Sequence, residues 1–328
     1  MVFLILSHLN LDTFMKSLLL ILVLSFLSIQ SFAGSCPDGS DPVRSISDDG
    51  TYFVYSCSRL SEQANTPATD FPNISLPLDV ASGNIYKKSL LDPKTFKDYG
   101  VQVVDKKDGH PVRAGSKSIR FELRDGDCGA TLPHWSDCDT DRERHELSGS
   151  YMSDGEEWWH AWSIFLPKDF KNISPSILDL GQFHGDNSWV DPCCSFMFKN
   201  QRGGYHIQNL LDDSDFSEFK KVLTQEEMIE KWNDILVNVK WSKNNNGFIN
   251  LWVNDRLVYE YQGPTLTKNS KFVYFKFGIY RSQISLFLNQ SKRLYNISKL
   301  PTQVVYYDEV RVGKSKEQVV GNLPLRIK

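Results

Sequence analysis

Three alternating runs joined by two short polar turns are the tightest constraint this chain places on its own architecture. Residues 235–241, 248–253 and 257–261 put apolar side chains at every second position, and the turns between them read Asn244-Asn245-Asn246-Gly247 and Asn254-Asp255. Asn, Asp and Gly tolerate the left-handed backbone of a tight hairpin, so an antiparallel meander follows. The same period of two recurs at 101–104, 118–124, 159–166, 177–184, 196–198, 204–208, 272–280 and 304–312. In 118–124, Ile119, Phe121 and Leu123 share one face and Arg120, Glu122 and Arg124 the other. A solvated face and a substrate-facing one both fit those charges.

One stretch has helical spacing, 224–236. Thr224 stands as the cap, Glu226 and Glu227 lie in the first turn, and Met228, Trp232 and Leu236 recur on one side. Its end overlaps the strand that opens at 235. Many short strands, one or two short helices and no βαβ rhythm predict an all-β fold, a two-sheet antiparallel sandwich of the jelly-roll kind. It occupies 81–328 as one domain, behind an irregular lead-in at 34–80 rich in Ser, Asp, Pro and Asn.

Residues 1–33 read as a secretory signal peptide. Met15, an alternative start, and Lys16 precede an apolar run, and Phe32-Ala33-Gly34 places the cleavage after Ala33. An uncleaved anchor is the competing reading, but the run is short for a span. Cleavage removes Lys16 and Asp12 together, so the formal net charge of −3 is unchanged. That balance excludes a nucleic-acid partner, which would select a basic surface. Once cleaved, the chain is expected to be monomeric and without a membrane partner.

Six cysteines remain in the exported part, a setting that favours disulfides. Cys36 with Cys57 and Cys128 with Cys138 are the sequence-local pairs. Cys193 and Cys194 are not expected to bond to each other, because neighbours in a strand point apart. No spacing suits zinc. Asn73, Asn172, Asn289 and Asn296 head Asn-x-Ser sites.

The candidate chemistry lies on three strands. In 272–281, Val273, Phe275, Phe277 and Ile279 form a core face, while Tyr274, Lys276, Gly278 and Tyr280 form the other. Lys276 and Tyr280 would stand about 13 Å apart, a span suited to an elongated ligand. Arg144 shares a face with Glu146, and Gln182 with His184. β-Elimination beside a uronic carboxylate needs donors for that carboxylate, a base for the neighbouring proton and an acid for the departing oxygen. Arg144 and Gln182 are suitable donors, His184 exchanges protons near neutrality, Tyr280 can serve as acid or base, and Lys276 can meet an anion. Arg120, Glu146, Tyr274 and Arg281 are expected to bind substrate. Each of these residues also has a purely structural reading.

Arg144-His145-Glu146, the 159–167 strand, Gln182-Phe183-His184, the 241–253 meander, Lys276-Phe277-Gly278-Ile279-Tyr280-Arg281 and Tyr307-Asp308-Glu309-Val310-Arg311-Val312-Gly313 together resemble the polysaccharide lyase family that contains heparin lyase I and glucuronan lyases, over about residues 80–315. The resemblance implies a β-jelly roll with a long groove. In it His184 and Tyr280 perform β-elimination on an anionic polysaccharide, helped by Arg144, Gln182 and Lys276. The chain lacks a basic heparin-binding run, which directs the expectation toward glucuronan or alginate. No cofactor is required. Some members bind calcium, and Asp212-Asp213-Ser214-Asp215 is the acidic loop here, but a solvated turn explains it and no metal ligand is assigned. A non-catalytic carbohydrate-binding protein on the same sandwich is the main alternative. A glycoside hydrolase, drawing on Glu146, Asp308 and Glu309, is the next.

Overall fold

The protein is described here from a computed structural model. It describes residues 97–320 apart from 132–134, 187–192 and 212–218, with shorter pieces ahead of them. The chain divides into two units, Met1–Pro67 and Ala68–Lys328. In the first, strands Val43–Ile46 and Phe53–Ser56 pair antiparallel. The signal peptide, the Cys36–Cys57 pair and the Asp212–Asp215 cluster lie outside the described residues.

Among the described residues the second unit is a sandwich of two large sheets. Four strands of one sheet carry the argument: β1 (Arg142–Ser153), β2 (Ile177–Gly185), β3 (Cys194–Asn200) and β4 (Phe272–Ser282). They lie side by side in the order β3, β2, β4, β1, every pair antiparallel. The facing sheet is centred on Glu157–Phe165, with Asn233–Lys240 on one side and Gln303–Gly313 on the other. Phe248–Val253 and Arg256–Gln262 complete the expected meander, and its second turn places Asn254 and Asp255 at φ 49° and 64°.

Alternation decides what fills the space between the sheets. Val273, Phe275, Phe277 and Ile279 of β4 are buried, as are Ile119, Phe121 and Leu123 opposite. Trp162 packs on Phe198 and Phe275 with ring centroids 5.0 and 4.8 Å away. Tyr307 reaches across the sandwich, its hydroxyl on the carbonyls of Leu180 and Gly278.

The helix expected at 224–236 is one turn, Gln225–Met228. Thr224 and Glu227 form a reciprocal capping box there. Glu230 then takes a left-handed φ of 55°, and the chain becomes the strand Asn233–Lys240. Burial of Ile235, Val237 and Val239 at a period of two outweighs the helical spacing of Trp232 and Leu236. A longer helix, Ile284–Tyr295, was not anticipated. Asp141 accepts from its Ser285 N–H at 2.8 Å and Ser176 Oγ from its Phe287 N–H at 3.0 Å, so its N-terminus is satisfied by remote residues. Cys128 and Cys138 are bonded as expected.

Candidate active site

The register stacks side chains into rows that cross β1, β4, β2 and β3 on the face away from the core. Arg144, Tyr280, Asp179 and Lys199 form the first row, and Ser148, Lys276, Gln182 and Met197 the second. Tyr151, Tyr274, His184 and Cys194 form the third. Seven of the expected residues, Arg144, Glu146, Gln182, His184, Tyr274, Lys276 and Tyr280, therefore share one face.

Glu146 joins the first two rows. It is 1% exposed, accepts from Gln182 Nε2 at 2.6 Å and from Arg144 Nη1 at 3.3 Å, and lies 3.5 Å from Lys276 Nζ. Its oxygens are thus occupied by protein donors, which makes it an organiser of the site and not the substrate contact expected. Between Lys276 and Tyr280 on β4 stands Gly278. What approaches it is β1: a Cβ there would lie 2.4 Å from the His145 carbonyl oxygen and 2.9 Å from Glu146 Cα, at a φ of +135°.

Arg144 is further held by Asp137, which takes its Nε at 2.6 Å and its Nη2 at 2.7 Å. The guanidinium sits 4.3 Å from the centroid of the Tyr280 ring. A guanidinium has five N–H donors, and with three engaged it retains two for a ligand.

His184 Nδ1 is 2.6 Å from the Gly185 carbonyl oxygen. A carbonyl only accepts, so Nδ1 carries the proton and Nε2 keeps its lone pair. Burial, helped by the positive charges of Lys276 and Arg144, pushes His184 down to about 3. The imidazole is neutral at any physiological pH. Burial raises the Tyr280 hydroxyl above its ordinary value despite the opposing charge of Arg144, which keeps it a phenol. Burial lowers Lys276, against the pull of Glu146. His184 stands five residues beyond Asp179 on β2, so its row and that of Tyr280 are about 16 Å apart along the strands. The Lys276–Gln182 row lies between them.

Two expected residues are not brought to this face. Arg120 lies in the other sheet, opposite Tyr306, with its charge on Glu122 and a hydrogen bond to Gln102 at 3.2 Å. Its alternation partners Ile119 and Phe121 take the core side, so Arg120 points outward. Arg281 follows Tyr280 and so faces the opposite way. It is 0% exposed, ion-paired with Glu143, and donates to the carbonyls of Pro301 and Arg124 at 2.8 Å each. It braces the fold.

Asp137 and Asp179 were missed. Asp137 belongs to a segment that reads only as a loop, and its proximity to Arg144 offers no pattern. Asp179 alternates with Leu178 and Leu180, a signal for the exposed side of a strand that went unused. It is 1% exposed, neither carboxylate oxygen is hydrogen-bonded, and the nearest cation, Lys199 Nζ, is 4.0 Å away. Burial raises it to about 7. Asp308 and Glu309 sit in the other sheet. Asp308 accepts from the backbone of Arg113 at 2.7 Å and Glu309 pairs with Arg311. They do not oppose Glu146 across a groove as a hydrolase pair must. Among the described residues no group of three or more His, Cys, Asp or Glu is arranged to hold a metal ion, and no helix is long and apolar enough to cross a membrane.

No curated protein matches the sequence. The endo-β-1,4-glucuronan lyase of the fungus Trichoderma reesei aligns at 17% identity and a TM-score of 0.46, covering 71% of this chain and 96% of that one. A marine alginate lyase of Zobellia galactanivorans aligns at 14% and 0.41, covering 60% and 78%. An alginate lyase of Pseudomonas aeruginosa aligns at 13% and 0.42, covering 68% and 89%. The family model described as polysaccharide lyase matches residues 92–311, a span that holds all four site strands, and the chain belongs to that family.

Proposed function

We propose that this is an exported lyase that cleaves a uronic-acid polymer by β-elimination, with His184 as base and Tyr280 as acid. The observation that carries the assignment is the commitment of His184 Nδ1 to the Gly185 carbonyl, which leaves Nε2 neutral with its lone pair free of a proton. Nε2 takes the proton from the carbon bearing the carboxylate. The electron pair left behind forms a double bond to the neighbouring carbon and expels the glycosidic oxygen there. The Tyr280 O–H protonates that oxygen as it leaves. Negative charge grows on the carboxylate meanwhile, and the remaining N–H groups of Arg144 and Gln182, with Lys276, offset it. Each is held in place through Glu146 before substrate arrives.

The lack of a basic heparin-binding run in the sequence favours glucuronan or alginate over heparin as substrate. The test is release of the unsaturated uronate, read by its ultraviolet absorbance, from glucuronan, alginate, heparin, hyaluronan and pectate. Absorbance should rise on one of the first two. Tyr280→Phe should lower kcat about 10²- to 10⁴-fold with little change in KM. Binding without release on any polymer would replace this reading with the carbohydrate-binding one.

A further inference from the structure

β3 begins at Cys194, and Cys193 lies one residue outside it, beside a bulge that sets His184 opposite Cys194. Strand alternation therefore does not separate the two side chains, contrary to expectation. Both thiols are free, and their sulfurs are 2.6 Å apart. Cys194 is buried and donates to Gln182 Oε1 at 3.0 Å. That contact turns the Gln182 amide so that Nε2 faces Glu146 and keeps one N–H in reserve. A thiol has a single proton, so Cys194 serves Gln182 only while Cys193 donates to Cys194.

We propose that Cys193 and Cys194 are an oxidisable vicinal dithiol beside Gln182, and that closing it to a disulfide frees Gln182 and slows turnover. The effect on turnover rests on the lyase reading above, whereas the dithiol itself does not. A small-molecule disulfide such as oxidised glutathione is the oxidant. Cys193, the more exposed of the two, attacks one of its sulfurs as the thiolate and expels the first glutathione thiolate. Cys194 then loses its proton and attacks Cys193 Sγ, expelling the second glutathione thiolate. Two electrons and two protons leave the protein and appear as two glutathione thiols. Adjacent Cα atoms are about 3.8 Å apart, closer than the usual disulfide span of about 4.4–6.8 Å, so the ring is strained and readily reduced. The bond is thus a reversible switch, distinct from the Cys128–Cys138 staple.

The full chain is equilibrated in glutathione buffers from reducing to oxidising, alkylated, and mapped by mass spectrometry, with uronate release measured in parallel. In oxidising buffer the peptide carrying Cys193 and Cys194 should resist alkylation and weigh two hydrogens less. kcat/KM should fall about 5- to 10-fold and recover on reduction. Cys193→Ser, which keeps the Cys194 donor, should be active and indifferent to the buffer. Alkylation of both cysteines in every buffer would overturn the proposal, as would a disulfide that leaves both kcat/KM and the Gln182 side-chain amide resonances unchanged. A mapped disulfide that moves those resonances, in a protein that cleaves no uronan in either form, would support the dithiol and sink the lyase reading.

Discussion

At the scale of single residues, a carboxylate buried as deeply as Glu146 is costly unless its charge is met, and Arg144, Lys276 and Gln182 meet it. Glu146→Gln removes that charge and leaves two cations facing one another. The expected result is a fall in kcat/KM of about 10²-fold, with the sandwich intact by circular dichroism. An unchanged kcat/KM would mean that the three donors hold their places without it. Asp179 makes a prediction of opposite sign. Its carboxyl is raised to about 7 from an ordinary 3.8, so the folded chain holds a proton there that the unfolded chain has released. Its favourable contribution to stability is complete below the lower value and is lost as the pH rises through the upper one. Asp179→Asn should therefore be more stable than the parent at pH 8, by about 1–2 kcal/mol, with the difference vanishing below about pH 4. Urea unfolding across that range measures it, and a pH-independent difference would contradict the shift. Gln182, His184, Lys276 and Tyr280 were legible because a period of two puts them on one side of their strands. Asp137 was not, because its partner Arg144 lies across a loop whose path no local pattern encodes.

At the scale of elements, the backbone of β1 leaves no room for a side chain at Gly278 of β4. Gly278→Ala sets a methyl against the His145 carbonyl oxygen, at a φ of +135° that side chains rarely adopt. It should cost about 1–3 kcal/mol in thermal unfolding and displace Tyr280, which is two residues away, so that activity falls further than stability. A variant as stable and active as the parent would show that the backbone relaxes freely there. The strands were readable because each alternates within itself and ends in turn residues. The helix Ile284–Tyr295 was not, since Asp141 and Ser176, which satisfy its first turn, belong to other parts of the chain. The stretch after Thr224 misled in the other direction. Its cap is real, but the apolar side chains that follow serve a strand pairing with Glu157–Phe165.

At the scale of the whole molecule, the sandwich and its antiparallel character follow from counting strands and finding no crossover helices. Sheet order does not, because β4 lies between β1 and β2, both far from it in the chain. Glu143 and Arg281, which pair, are 138 positions apart, and Gln182 and Glu146 are 36 apart. This arrangement bears on how the protein comes into being. Closing such long loops precedes any reward from the contacts they make, so the central pairing of β1, β4 and β2 belongs to the slow part of folding. His184 of β2 and Tyr280 of β4, the proposed base and acid, come onto one face only when that pairing is complete. After dilution from denaturant, strand content read by circular dichroism should recover before uronate release does. Equal rates for the two would mean that the three strands assemble in a single step with the rest. Catalytic activity is then a late clock on folding, and a nascent chain has no working centre until β4 has left the ribosome.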